Sequence, residues 1–119
     1  MNPIDIAEKL ALVREPWTPK IVAELNGQHV KLARLEGSFV WHRHDDADEL
    51  FWVLEGRLRM DFRDRQVWLD PGQMLVVPRG VEHRPHCDEP TAVLLFEPTG
   101  TLNTGDAEST LTVPNPERI

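Results

Sequence analysis

Apolar and polar residues alternate with a period of two over most of this chain, which is the pattern of half-buried β-strands. The clearest example is segment 57–63 (RLRMDFR), where Leu58, Met60 and Phe62 alternate with charged residues. Strand-length runs of this kind recur roughly every eight to twelve residues, between turn-forming Gly, Pro, Asn and Asp residues. The runs are KIVAEL, QHVKLARLEG, SFVWHRH, ELFWVLEGRLRMDF, RQVWLD, QMLVVP, VEHRPH and TAVLLFEP.

Two segments lie outside the strand pattern. Residues 3–13 (PIDIAEKLALV) predict a short helix, with Asn2 as the N-cap, Pro3 at the first position and acidic residues in the first turn. From Asn103 onward the chain is polar and contains two late prolines. We therefore expect an extended C-terminal tail, with one strand at most, over 110–113.

The regular spacing of short strands predicts an all-β fold, a jelly-roll barrel or sandwich of antiparallel strands. No helix-length segment separates the strands, so parallel crossovers are not expected. Asn26-Gly27 lies between the first two runs and is a strong signal for a β-hairpin. We divide the chain into an N-terminal helical segment (1–19), a β-barrel (20–100) and a C-terminal tail (101–119).

Composition limits the classes of partner. The 119 residues fit one domain, and a chain of this length can fold without an architectural metal. Twenty acidic against thirteen basic residues give a net charge of −7, which disfavours nucleic acid and anionic membranes. Cys87 is the only cysteine, so no intrachain disulfide is possible. With neither a signal-peptide pattern nor a long apolar run, we expect a cytoplasmic protein.

The segment VWHRH places two histidines where a strand would point them to the same side. In a strand, His42 and His44 share one face while Arg43 occupies the other. If that face is the inner one, protonation of both imidazoles would bring like charges together in a poor dielectric. A bound zinc, iron, copper or nickel ion would resolve this conflict, because neutral imidazole nitrogens are good ligands for these metals. Glu49 could supply a further donor atom. The pair alone is equally compatible with an exposed strand that carries two solvated histidines.

Two longer motifs surround this pair. Residues 37–56 read G-x4-H-x-H-x4-E-x6-G, and residues 72–83 read G-x5-P-x-G-x2-H. These spacings resemble the two motifs of the cupin superfamily, and the resemblance spans Gly37 to His83. The flanking strands, to about Phe96, fit the same barrel. Two departures are visible: the first motif is one residue shorter between Gly37 and His42, and Cys87 stands where the family usually has asparagine.

The resemblance implies a double-stranded β-helix that holds one divalent transition metal (Fe, Mn, Zn or Ni). The ligands that it implies are three histidines and one glutamate, namely His42, His44, Glu49 and His83. Four protein ligands on an ion that prefers six leave two positions open for a substrate, dioxygen or water. Cys87 leaves this ligand set intact but alters the hydrogen bonding expected near it.

Neighbouring polar residues have simpler explanations. His86 follows His83 by three residues and faces the opposite side of an unbroken strand, so we do not count it as a ligand. Three aspartates follow the histidine pair and are expected to be solvated turn residues: Asp45, Asp46 and Asp48.

Three classes of function remain open. A metal-dependent enzyme acting on a small polar metabolite, of the oxygenase or sugar-isomerase type, is favoured. The alternatives are a non-catalytic protein that binds a small molecule through the metal, and a storage or structural cupin without metal. The complete ligand set argues against the last. We also expect a homodimer, because Trp41 and apolar edge strands would face outward.

Overall fold

The computed structural model describes all 119 residues and consists of one short helix and seven antiparallel strands. The elements, in chain order, are α1 (Ile6–Leu10), β1 (Lys20–Leu25), β2 (Gln28–Ser38), β3 (Glu49–Glu55), β4 (Leu58–Phe62), β5 (Gln66–Leu69), β6 (Met74–Val77) and β7 (His83–Pro98). The all-β prediction with a single N-terminal helix is therefore confirmed. A helix of five residues is far too short to cross a bilayer, and the chain has no other.

The barrel is built around β7, which hydrogen-bonds to three other strands. Its C-terminal half lies between β2 and β3 in the order β1-β2-β7-β3-β6. Its N-terminal half pairs with β4, which in turn pairs with β5. One strand therefore belongs to both walls of the jelly roll.

The core fills the space between the two walls. Inward-facing positions alternate along each strand, as in Phe51 and Val53 of β3 or Leu58 and Met60 of β4, all of them buried. A second, smaller cluster lies outside the barrel, where Leu10 of α1 packs near Leu32 of β2. The helix therefore covers the outer face of β2.

The predicted helix is shorter in the structure. Asp5, rather than Asn2, is the N-cap, and its carboxylate accepts a hydrogen bond from the Glu8 N–H at 3.0 Å. The hairpin prediction is confirmed, because Asn26 and Gly27 both adopt positive φ (50° and 73°) between β1 and β2.

Two strand predictions were wrong. SFVWHRH is not a strand beyond Ser38, since residues 39–48 contain only an isolated bridge at His42. VEHRPH and TAVLLFEP merge into the single strand β7, and the residues between them, 88–90, form a bulge at the register shift with β2. No strand forms at 110–113.

The C-terminal tail folds back onto the barrel through specific contacts. Asp106 accepts a hydrogen bond from the Arg43 N–H at 2.8 Å and returns one from its own N–H to the Arg43 carbonyl at 3.1 Å. At the chain end, the Ile119 N–H donates to the Ile21 carbonyl at 3.0 Å. The tail thus reaches both the histidine segment and the edge strand β1.

Candidate metal centre

Four side chains from three parts of the chain meet at one end of the barrel. Glu49 is the first residue of β3 and His83 is the first residue of β7, while His42 and His44 lie in the irregular segment before β3. Backbone hydrogen bonds join these segments: the His42 N–H donates to the His83 carbonyl at 3.0 Å, and the His83 N–H donates to the His42 carbonyl at 2.8 Å. The Gly80 N–H donates to the His44 carbonyl at 2.8 Å. The turn that precedes β7 therefore positions the histidine pair.

All four side chains are buried and converge. Their potential ligand atoms lie within 4.8 Å of one another. Two donors bound to one ion at typical zinc distances are at most about 4.2 Å apart, so inward adjustments of about half an ångström would let one ion contact the whole set. The four residues that the cupin resemblance implies as ligands therefore come together in the structure.

Two of the imidazoles are fixed in one tautomer. The Nδ1–H of His42 donates to the Val40 carbonyl at 2.9 Å, and the Nδ1–H of His83 donates to the Val81 carbonyl at 2.9 Å. In the neutral ring, Nε2 is then the atom with a free lone pair. Backbone acceptors of this kind orient histidine ligands in metalloproteins.

Three buried polar atoms of the group have no hydrogen-bond partner. They are His44 Nε2, Glu49 Oε1 and His83 Nε2, and the carboxylate oxygen lies 3.3 Å and 3.5 Å from the two nitrogens. Such atoms are rare in folded proteins because each costs the free energy of its lost hydration. A cation among them would satisfy all three, so the residues present fit a divalent transition metal.

The local pKa values favour metal binding near neutral pH. Burial, with the neighbouring His83 as a second cause, lowers the pKa of His42 from 6.5 to about 4, so its ring is neutral at pH 7. Burial acts to raise the pKa of Glu49, but contacts with Glu97 and with two of the histidines hold that pKa well below its usual value. The site therefore offers a neutral imidazole and a carboxylate, the forms that ligate metals.

A buried ion pair behind Glu49 was not predicted. Lys31 Nζ and Glu97 Oε1 are 2.8 Å apart, and both side chains are almost completely buried (2% and 1% exposed). Burial and the charge of Glu49 raise the pKa of Glu97 well above its usual value, whereas the contact with Lys31 acts in the opposite direction. Period-two alternation could have indicated the pair, because Lys31 and Glu97 fall on the inward faces of strands β2 and β7.

The other residues considered lie outside the cluster. His86 contacts Ser38 Oγ at 2.7 Å and the Asp88 carboxylate at 2.7 Å instead. Cys87 is buried, and burial raises the pKa of its thiol to about 11. The three turn aspartates are exposed, as predicted for Asp45, Asp46 and Asp48.

A cavity adjoins the cluster on one side. Its volume is about 40 Å³ when measured as room for the centres of water-sized molecules, and His42 and Glu49 line it. Phe39 and Phe51 form walls of the same cavity, whereas Trp52 points outward and is 42% exposed. Phe39 and Phe51 are therefore placed to contact a ligand, and Trp52 is not.

The sequence and the fold are similar to those of several known proteins. The crystal structure of a cupin-2 domain containing protein from Shewanella frigidimarina is 43% identical, with a TM-score of 0.79 over 80% of this chain and 93% of that one. Protein NMB1881 from Neisseria meningitidis is 31% identical, with a TM-score of 0.76 over 82% of this chain and 100% of that one. The Bacillus subtilis protein "Uncharacterized protein YdbB" is 41% identical over 73 residues, 60% of this chain and 65% of that protein. The chain thus spans just under two thirds of the length of this curated relative.

The family model described as "Cupin domain" matches residues 28–97, more than half of the chain. This range contains all four converging side chains and strands β2 to β7, apart from the last residue of β7. The chain belongs to the cupin domain family.

Proposed function

We propose that this protein is an enzyme that acts on a small molecule. It would use one divalent transition metal, bound by His42, His44, Glu49 and His83. The observation that carries the proposal is the set of three buried, unpartnered donor atoms that face one another beside a cavity. A metal that only stabilised the fold would not require a cavity beside its ligands. Oxygenase-type and isomerase-type reactions both remain candidates.

The bound ion would supply Lewis acidity or, if it is redox-active, one-electron chemistry. The protein's own groups prepare the site. The Val40 and Val81 carbonyls orient two imidazoles, and Glu49 brings a negative charge that offsets part of the charge of a cation. The apolar walls beside His42 limit access of water to a ligand held there.

Metal analysis of protein purified without added metal tests the proposal. We expect close to one transition-metal ion per chain. Replacement of His42, His44, Glu49 or His83 by alanine should lower metal affinity at least about tenfold, the low end of the cost of changing even residues that support a ligand. His86→Ala is the matched control, because His86 lies outside the cluster, and it should leave affinity unchanged. Unchanged affinity in a variant of the four would reject that ligand.

Turnover separates an enzyme from a non-catalytic binding protein. Oxygen uptake and isomerisation assays on candidate substrates should show activity that is lost on chelation and restored by one metal. A protein that binds ligands through the metal but never turns them over would support the alternative.

We also propose a homodimer, on different grounds from those in the sequence. Trp41 packs under the guanidinium groups of Arg63 and Arg84, at 3.8 Å and 5.1 Å from its ring centroid, so it is partly covered within the chain. The exposed apolar face is instead formed by Trp52 of β3 and its cross-strand neighbour Met74 of β6, an edge strand. Light scattering should give the mass of two chains, and Met74→Lys should shift it toward one.

A further inference from the structure

The cavity beside the metal centre is lined mainly by apolar groups. Trp17, Leu35, Phe39, Phe51 and Leu95 form most of its wall, and no lysine or arginine lines it. A ligand that fills this space exchanges water for hydrocarbon and aromatic surface, which favours apolar molecules by about 25 cal/mol per Å² buried.

Few polar groups in the cavity are free to bind a ligand. The polar lining residues are His42, Glu49 and Asn103. Asn103 is already engaged by the tail: its amide N–H donates to the Leu111 carbonyl at 2.9 Å, and its amide oxygen accepts from the Val113 N–H at 2.8 Å. Only the two candidate metal ligands remain to meet polar atoms of a ligand.

The buried Lys31 and the half-buried Arg34 of β2 are also engaged. Lys31 is paired with Glu97, and the Arg34 guanidinium donates to the carbonyls of Val13 and Leu10. A phosphate or carboxylate in the cavity would therefore have no cationic side chain to meet it. A sugar would bury hydroxyls without partners, at about 1–3 kcal/mol for each.

One aromatic wall is held in a fixed position. Trp17 has a φ of 60°, its backbone N–H donates to the Arg34 carbonyl at 2.8 Å, and its Nε1–H donates to the Glu36 carbonyl at 2.9 Å. Its ring stacks on Phe39 with centroids 4.7 Å apart. The indole is therefore a preorganised surface for a flat ligand.

We propose that the metal centre acts on an uncharged, largely apolar small molecule, which directs its oxygen atom or atoms toward His42 and Glu49. This inference rests on the proposed metal-dependent function and narrows it. The sequence alone predicts a polar metabolite, whereas the cavity lining favours an apolar one and disfavours sugars and sugar phosphates.

Calorimetry with three ring-sized probes tests the ligand class. Phenol, myo-inositol and ribose 5-phosphate are titrated into the metal-free and the zinc-loaded protein. Phenol should bind at least tenfold more tightly than the other two in both forms, a difference of about 1.4 kcal/mol. If a polar probe binds as tightly as phenol in either form, or if phenol does not bind, the inference is wrong.

Two tryptophan variants locate the binding site. Trp17→Ala removes a wall of the cavity and should weaken phenol binding at least tenfold, while Trp68→Ala makes the same chemical change on the exposed outer face and should change it less than twofold. Zinc content should be unchanged in both. Equal effects of the two variants would place phenol elsewhere. If Trp17→Ala does not fold, Phe39→Leu serves as the second cavity variant, with the same expected direction.

The outcomes separate the two proposals. Normal zinc uptake without a preference for phenol overturns this inference and leaves the metal centre in place. Phenol binding that depends on Trp17 in a protein that takes up no zinc overturns the proposed function and, with it, the assignment of phenol-like molecules as substrates.

Discussion

Substitution of Gly105 by alanine, which adds one methyl group, tests whether the C-terminal tail supports the metal centre. Gly105 has a φ of 55°. A Cβ atom placed there would overlap the Arg43 carbonyl oxygen. The same Cβ atom would lie 2.9 Å from the Arg43 carbonyl carbon and 3.2 Å from Cδ2 of His42. Gly100 is a matched control in the same part of the chain. Its φ is also positive, at 84°, but nothing lies within 4 Å of the corresponding position.

The two alanine variants share one cost and differ in another. Each places a side chain at positive φ, which costs about 1 kcal/mol. In Gly105→Ala the tail must also move away from Arg43. This movement breaks two hydrogen bonds, from the Arg43 N–H to the Asp106 carboxylate and from the Asp106 N–H to the Arg43 carbonyl, at about 1 kcal/mol each. We therefore expect losses in unfolding free energy of about 3 kcal/mol for Gly105→Ala and about 1 kcal/mol for Gly100→Ala.

Urea unfolding of the metal-free proteins measures these losses, and zinc titration measures the effect on the site. Because the added methyl group would press on the His42 ring, zinc affinity should fall about tenfold in Gly105→Ala, as for other changes that disturb ligand orientation, and stay constant in Gly100→Ala. Equal destabilisation by both variants, with equal zinc affinity, would refute the view that tail packing supports His42.

Three further predictions concern buried titratable groups. Lys31→Met should destabilise the protein by about 3–5 kcal/mol because it leaves Glu97 buried without its cation, and the double variant Lys31→Met/Glu97→Gln should recover much of that loss in urea unfolding. Burial lowers the folded-state pKa of His42 from 6.5 to about 4, so the unfolded chain takes up this proton first. The stability of the metal-free protein should be greatest above pH 6.5 and fall by up to about 3 kcal/mol toward pH 4, and His42→Gln should remove that contribution from the pH profile. Burial raises the pKa of the Cys87 thiol to about 11, so iodoacetamide at pH 8 should modify it at least about tenfold more slowly in folded than in urea-unfolded protein.

The spacing of the histidines predicted their direction better than their secondary structure. Residues 39–48 are irregular, yet His42 and His44 point inward and Arg43 points outward, as alternation requires. The bridge between His42 and His83 keeps the backbone locally extended, which is enough to preserve the alternation. This bridge joins residues that are distant in the sequence, so no local pattern indicates it.

Long-range packing explains what the sequence did not predict. The Asp-Glu-Pro run at 88–90 has turn chemistry, but pairing of β7 on both sides outweighs it and leaves a bulge. The approach of Gly105 to the Arg43 carbonyl beside His42 joins residues far apart in sequence, and nothing in the polar tail indicates it. The apolar wall provided by Trp17 likewise depends on how the segment before β1 folds back.

The position of β7 in the chain has a consequence for the order of folding. Strands β2, β3 and β4 all pair with β7, which begins only at His83. During synthesis these strands must therefore wait with unpaired edges until most of the chain has left the ribosome. Sheet formation that depends on such distant partners is slow and exposes aggregation-prone edges. Refolding at high protein concentration should accordingly lose material to aggregation, and cooling or dilution should improve the yield.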